Sequence, residues 1–231
     1  MSSKKQQTAV AKEDGVAIPM HVANVLGYIR FGLILASWPF AMKDAHTFLC
    51  LYATAYALGM LHDVLAAILG QHSFFGTQWD ILMTRFATSS LIFVVLKLGL
   101  EVIKDEWERM SFAFLFASIF LGDFVSYWFQ VYSSYLLDEE SHVTPNPIVQ
   151  GFLRFLKVAP VAGLMNLLAE LYIVDHYLAF FHNHPMQREL TGHQHYPLFL
   201  QATLAGIVLK SAHNVLHLAV SAIRIVKLDV R

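Results

Sequence analysis

Charge is what this chain has least of. Only 14% of its 231 residues are Asp, Glu, Lys or Arg, against about a quarter in an ordinary soluble domain. The formal net charge is -1, so no basic surplus answers a phosphate backbone and nothing points to a nucleic-acid partner. Cysteine is almost absent too. Cys50 stands alone, which excludes an internal disulfide and any zinc site built from cysteines. The first stretch, residues 1–20, lacks an apolar core and lacks arginine, and it carries Lys4, Lys5, Lys12, Glu13 and Asp14. It matches neither a secretory signal peptide nor a cleaved mitochondrial presequence. It is expected to be a solvated polar tail or a surface for a partner.

What the chain has is apolar length: 56% of its residues are hydrophobic and the mean hydropathy is +0.51. Six apolar segments, roughly 22–42, 47–69, 80–103, 110–136, 156–180 and 196–226, each approach or exceed the ~20 helical residues that cross a bilayer core. Backbone groups in lipid must satisfy one another, so each is a predicted helix. The fold class that follows is all-α, a polytopic membrane protein with about six transmembrane helices. After the tail at 1–20, residues 21–231 form a single transmembrane domain with no internal repeat. Predicted loops are Lys43 to His46, Gly70 to Trp79, Lys104 to Arg109, a polar connection opened by Asp138-Glu139-Glu140 and holding Pro145 and Pro147, and the histidine-rich stretch His182 to His195. Basic residues near helix ends (Lys4, Lys5, Lys12, Arg154, Lys157, Arg224, Lys227 and Arg231 against Lys43, Lys104, Arg109 and Arg188, with Lys97 close by) place both termini inside by a modest margin.

One helical hairpin carries a recognisable outline. It reads Gly59-Met-Leu-His62-Asp63-Val-Leu-Ala66-Ala67, then eight residues, then Gly76-x3-Asp80-x3-Thr84. This resembles the CDP-alcohol phosphatidyltransferase signature D-x2-D-G-x2-A-R-x8-G-x3-D-x3-D, with the spacing kept and most carboxylates replaced. The resemblance implies that four aspartates would hold two Mg or Mn ions against the diphosphate of a CDP-linked lipid, the last also acting as general base. In this chain Gly59 and His62 stand at the first two aspartates, Asp63 at the glycine, Ala67 at the arginine and Thr84 at the last aspartate. Gly76 and Asp80 match. One carboxylate cannot hold two hydrated divalent cations, and a threonine hydroxyl has no pKa suited to a base. The expectation is therefore no catalytic residue, no metal and a lost Mg/Mn site. A single-metal site rebuilt from His62, Asp63 and Asp80 is the alternative.

The resemblance continues along residues 18–226 and is similar to the phosphatidylinositol synthase branch. Asn24-Val-Leu-Gly27-Tyr28-Ile-Arg30 resembles its first-helix opening, with Ala23 at the proline. Asp123-Phe-Val-Ser126-Tyr-Trp128 resembles its fourth helix, followed in register by Ser133-Ser134, Glu140-Ser141-His142 and Asn146-Pro147. Pro160 and Glu170-Leu171-Tyr172 resemble the fifth, and Lys210-Ser211 and His217-Leu218 the sixth. Ala159 replaces an arginine that would bind phosphate. The resemblance implies a six-helix bundle with a polar cavity open to one leaflet, usually built as a homodimer that need not persist here. Arg30, Arg85 and Lys210 are the candidate lipid-binding residues.

Ionisable residues inside apolar spans are functional suspects. Asp123 and Glu170 are expected to pair with Arg or Lys. His213 and His217 have i, i+4 spacing that can chelate zinc but lack an evident third ligand. The His182/His184 and His193/His195 pairs read as solvated or partner-facing. The function expected is that of a catalytically inactive relative serving as a structural, lipid-binding subunit of a larger membrane complex, with membrane phospholipids and other subunits as partners. The mitochondrial inner membrane is the favoured location and the endoplasmic reticulum the alternative. The competing function is an active inositol-accepting phosphatidyltransferase with an altered metal site.

Overall fold

The computed structural model describes residues 18–71, 73–137, 147–156, 158–181 and 195–229; within them the side chains of Asp63, Ser134, Ala159 and residues 227–229 are not described. Residues 1–17 of the tail, the acidic connection with Glu140-Ser141-His142 and Asn146, and His182, His184, Arg188 and His193 lie outside the described residues. Among the described residues every regular element is helical, as the hydropathy requires. The helices are α1 (Val22–Ser37), α2 (Ala45–Ile68), α3 (Phe74–Val102), α4 (Glu106–Leu137), α5 (Pro147–Leu156), α6 (Ala159–Ala179) and α7 (Tyr196–Asp229). Short 3-10 turns at Ile18–Met20 and Trp38–Phe40 flank α1.

Five helices are long and apolar enough to cross a membrane, and the number reaches six if α5 and Pro160–Ala179, bent by 72°, count as one span. Several boundaries differ from the sequence reading; the expected Lys104–Arg109 loop is helical from Glu106, because Asp105 caps α4 by accepting from Glu108 N–H. The Gly70–Trp79 loop is shorter than expected, because Ser73 caps α3 and the helix is under way from Phe74. Pro147, expected inside a polar connection, opens α5, as proline does at a first helical position where its missing N–H costs nothing. α5 turns Leu153 and Leu156 inward and leaves Ile148, Phe152 and Phe155 exposed.

The chain divides into two compact units, Met1–Ser90 and Leu91–Arg231. In the first, α1 packs along α2, and α3 joins through Tyr28 against Trp79, Phe31 against Phe86 and a Trp38–Ser90 hydrogen bond. In the second, α7 packs on both α4 and α6. Phe112 and Phe116 of α4 meet Phe180 and His176 at α6 in edge-to-face contacts, at centroid distances of 5.6 and 5.4 Å. Such aromatic pairs add about 0.5–1.5 kcal/mol beyond the area they bury.

Candidate functional site

The hairpin that carries the signature is shaped by local rules. α2 ends at Gly70, whose φ of 63° is the left-handed conformation that favours glycine. Gly70 N–H donates to Ala67 O at 3.3 Å and Gln71 N–H to Ala66 O at 3.0 Å, the paired bonds of a Schellman stop. Two residues later Ser73 restarts a helix: its Oγ accepts from Gly76 N–H at 2.9 Å, as an N-cap serine does for the third helical residue. Gln71 Oε1 also accepts from Val22 N–H at 3.0 Å, tying the turn to the start of α1.

Arg30 of α1 then reaches into this hairpin. It is 2% exposed. Its Nε donates to Ala55 O at 3.1 Å, Nη2 donates to Thr84 Oγ1 at 3.1 Å, and Nη1 forms an ion pair with Asp80. One guanidinium thus stitches α1, α2 and α3 through three edges of its fork. A buried cation is costly unless paired and hydrogen-bonded. Here a carboxylate, a hydroxyl and a carbonyl share the task, each such charge-assisted bond contributing on the order of 1.5–3 kcal/mol. The Asp80 side chain keeps 18% exposure, so the pair is sealed on the arginine side and reached from the aspartate side.

Glycines make this approach possible. A Cβ at Gly59 would overlap the guanidinium, with Nη1 only 2.9 Å away. A Cβ at Gly76 would sit 2.6 Å from Asn24 Oδ1, and one at Gly27 would overlap the Trp79 indole. Asn24 itself donates to Ile18 O at 2.6 Å. Gly59 therefore does more than lack a carboxylate: its missing side chain is the room Arg30 occupies.

The remaining signature positions complete the picture. His62 is buried at 3% exposure and Ala66 at 4%, both on α2. Ala67 is exposed, and Arg85, the residue after Thr84, is half-buried. Among the described residues no three His, Cys, Asp or Glu side chains come together as metal ligands. A divalent pair needs clustered carboxylate oxygens. The described side chains here supply one carboxylate, already engaged by a guanidinium, and a threonine hydroxyl that accepts from the same group. They do not fit a pair of metal ions.

Lys210 lies in the second unit. Its Nζ is 3.8 Å from Asp123 Oδ1, and Asn214 Nδ2 donates to the same oxygen at 3.0 Å. All three are buried. Asp123 therefore has a lysine partner, as expected for an inherited carboxylate. Lys210, Asn214, His217, Ser221 and Arg224 are all buried on α7, and their steps of four, three, four and three residues put them on one helix face. His213 and His217 face each other at 4.4 Å between ring centroids.

Arg30, Asp80 and Thr84 were visible as separate candidates. Their assembly was not, since they lie 50 and 54 residues apart in sequence. Asn24, Trp79 and Asn214 were missed as site residues. Gly27 inside α1 and Gly76 in the first turn of α3, where a glycine admits a close neighbour, and Asn214 four residues after Lys210 were the available signals.

Comparison with known proteins agrees with the branch of the resemblance. The chain is 25% identical over 131 residues to the Arabidopsis thaliana CDP-diacylglycerol–inositol 3-phosphatidyltransferase 1, covering 57% of this chain and 53% of that protein. It is 26% identical over 127 residues to the probable CDP-diacylglycerol–inositol 3-phosphatidyltransferase 2 of the same plant, covering 55% and 52%. The chain spans about half the length of the curated relatives it matches. No family model matches, and no solved structure matches. These relatives correct one expectation. The chain was expected not to be an enzyme, on the ground of missing carboxylates; both relatives are named as phosphatidyltransferases, so its similarity is to an enzyme family and not to non-catalytic proteins.

Proposed function

We propose that this chain is a phosphatidyltransferase-type membrane protein that takes a CDP-linked diacyl lipid as donor and inositol as acceptor, at the site formed by α1, α2 and α3. The observation that carries the proposal is the similarity over more than half the chain to two proteins named for that transfer. The geometry supports it in three respects. Asp80 keeps the third signature position and retains exposure on one side. Gly76 keeps the motif glycine, with the Asn24 side chain of α1 packed against it. Arg30, which the first-helix pattern places on α1, holds that helix against the hairpin through Ala55 O and Thr84 Oγ1. The donor's acyl chains would lie in the bilayer that the apolar helices span, which makes membrane phospholipids its standing partners.

The test is transfer of labelled inositol to lipid by the purified protein in vesicles containing CDP-diacylglycerol. Lipid-soluble label above a protein-free blank, reduced at least about tenfold by Asp80→Asn, is the expected result. No label above blank at any donor concentration would refute the assignment.

A further inference from the structure

We infer that the Arg30 guanidinium is the resident cation of the α1–α2–α3 site and that the site takes no divalent metal. The signature calls for four carboxylates around two cations; here the balance of charge has been remade inside the protein. Gly59 removes the first carboxylate, and the space its side chain would fill holds the guanidinium. Thr84 removes the last, and its oxygen accepts from Arg30 Nη2 at 3.1 Å. Asp80, the carboxylate that stays, is ion-paired to Arg30 Nη1. Arg30 Nε, bound to Ala55 O at 3.1 Å, fixes the plane of the fork.

Three of the four positions that would face a metal are thus explained by one side chain. A metal would meet a guanidinium at close range, where like charges in a poorly solvated site repel strongly. It would also have to compete for Asp80 against a partner carried by the same chain. Arginine suits the role because it stays protonated and its planar fork satisfies several acceptors at once. The pair Arg30–Asp80 is close to neutral, so the pocket needs no added ion to be electrostatically stable. In this respect the changes at Gly59 and Thr84 are coupled: each makes room or an acceptor for the same arginine.

This deepens the function proposed above, and rests on it only for the second measurement below. The first is a Mn2+ titration, followed by electron paramagnetic resonance, of the full chain in nanodiscs without donor or acceptor. Wild-type and Asp80→Asn titrations should superimpose up to about 1 mM Mn2+, the weak end of protein sites for divalent ions. Uptake of one or more ions by the wild type that Asp80→Asn abolishes overturns the inference. A density map of the wild type recorded in Mn2+ needs no variant: an ion pair without a neighbouring cation supports the inference, and cation density on Asp80 overturns it. The second measurement is labelled-inositol transfer in excess EDTA, expected to stay within about twofold of the rate in Mg2+. Loss of transfer in EDTA overturns the inference. Absence of transfer under both conditions refutes the proposed function instead, and the Mn2+ comparison then decides this one by itself.

Discussion

Each unit of this molecule sets a carboxylate against a buried cation, and the two solutions are unlike. At Asp80 the partner is an arginine fork that also binds a hydroxyl and a backbone carbonyl, with two glycines opening the way for α1. At Asp123 the partner is a lysine 3.8 Å away, and the shorter contact is from Asn214 at 3.0 Å. The first is a directed, multidentate junction between three helices. The second is a looser pair within a longer row of polar residues on α7. The difference follows from the side chains: guanidinium geometry fixes a plane, whereas an ammonium is a point charge on a flexible stem. It implies that the first junction specifies how helices meet, and that the second mainly keeps an inherited carboxylate tolerable in an apolar surround.

The largest effect should come from breaking the first junction. Arg30→Met removes the buried guanidinium that joins Ala55 O, Asp80 and Thr84 and should destabilise the protein by about 3 kcal/mol or more, read as the shift in a denaturant transition in detergent. Glycine packing is next. Gly206→Ala puts a Cβ onto Leu168, with the Ala169 backbone nitrogen 3.1 Å away, and should cost about 1–3 kcal/mol because backbone cannot yield. Gly122→Ala meets nothing within 4 Å and should stabilise α4 by about 0.5–1 kcal/mol through helix propensity. Asp123→Asn removes the charge facing Lys210 while keeping an acceptor for Asn214. A loss of about 1–2 kcal/mol, smaller than that of Arg30→Met, sharpens the comparison; an equal or larger loss breaks it.

The smallest effect belongs to an exposed carboxylate that pairs with no cation side chain in this way. Asp44 caps α2, accepting from His46 N–H, Thr47 N–H and the Thr47 hydroxyl, the last at 2.6 Å. These bonds, the Thr47 hydroxyl foremost, hold its pKa below the ordinary 3.8. A depressed carboxylate pKa stabilises the fold above the ordinary value and loses that contribution as pH falls through the depressed one. The melting temperature of Asp44→Ala should therefore sit slightly below wild type at neutral pH, and the gap should close in acid. A gap that persists in acid would mean the cap acts without its charge.

Much of the architecture was legible because lipid leaves so few options: long apolar runs had to be helices, and α2, α3, α4 and α7 came out close to the expected spans. Errors fell where local chemistry outweighs hydropathy. Ser73 starts α3 several residues before the strongly apolar run, and Pro147 opens a short helix that composition marks as a connection. The signature spacing placed Gly59, Asp80 and Thr84 correctly in the hairpin. What spacing could not convey is that Arg30, on a different helix, occupies the gap at Gly59. Residue-by-residue matching registers a lost carboxylate as an absence, whereas packing shows an arginine in the vacated space. The similarity to named transferases corrected the further step from missing carboxylates to a non-enzyme.

The account rests on Arg30 and Asp80 acting as one unit, and a double-mutant cycle measures that directly. Unfolding free energies of wild type, Arg30→Met, Asp80→Asn and the double variant should yield a coupling of at least about 1 kcal/mol, with the double variant no less stable than Arg30→Met alone. Additive losses, with a coupling near zero, would contradict an internal ion pair at the heart of the site.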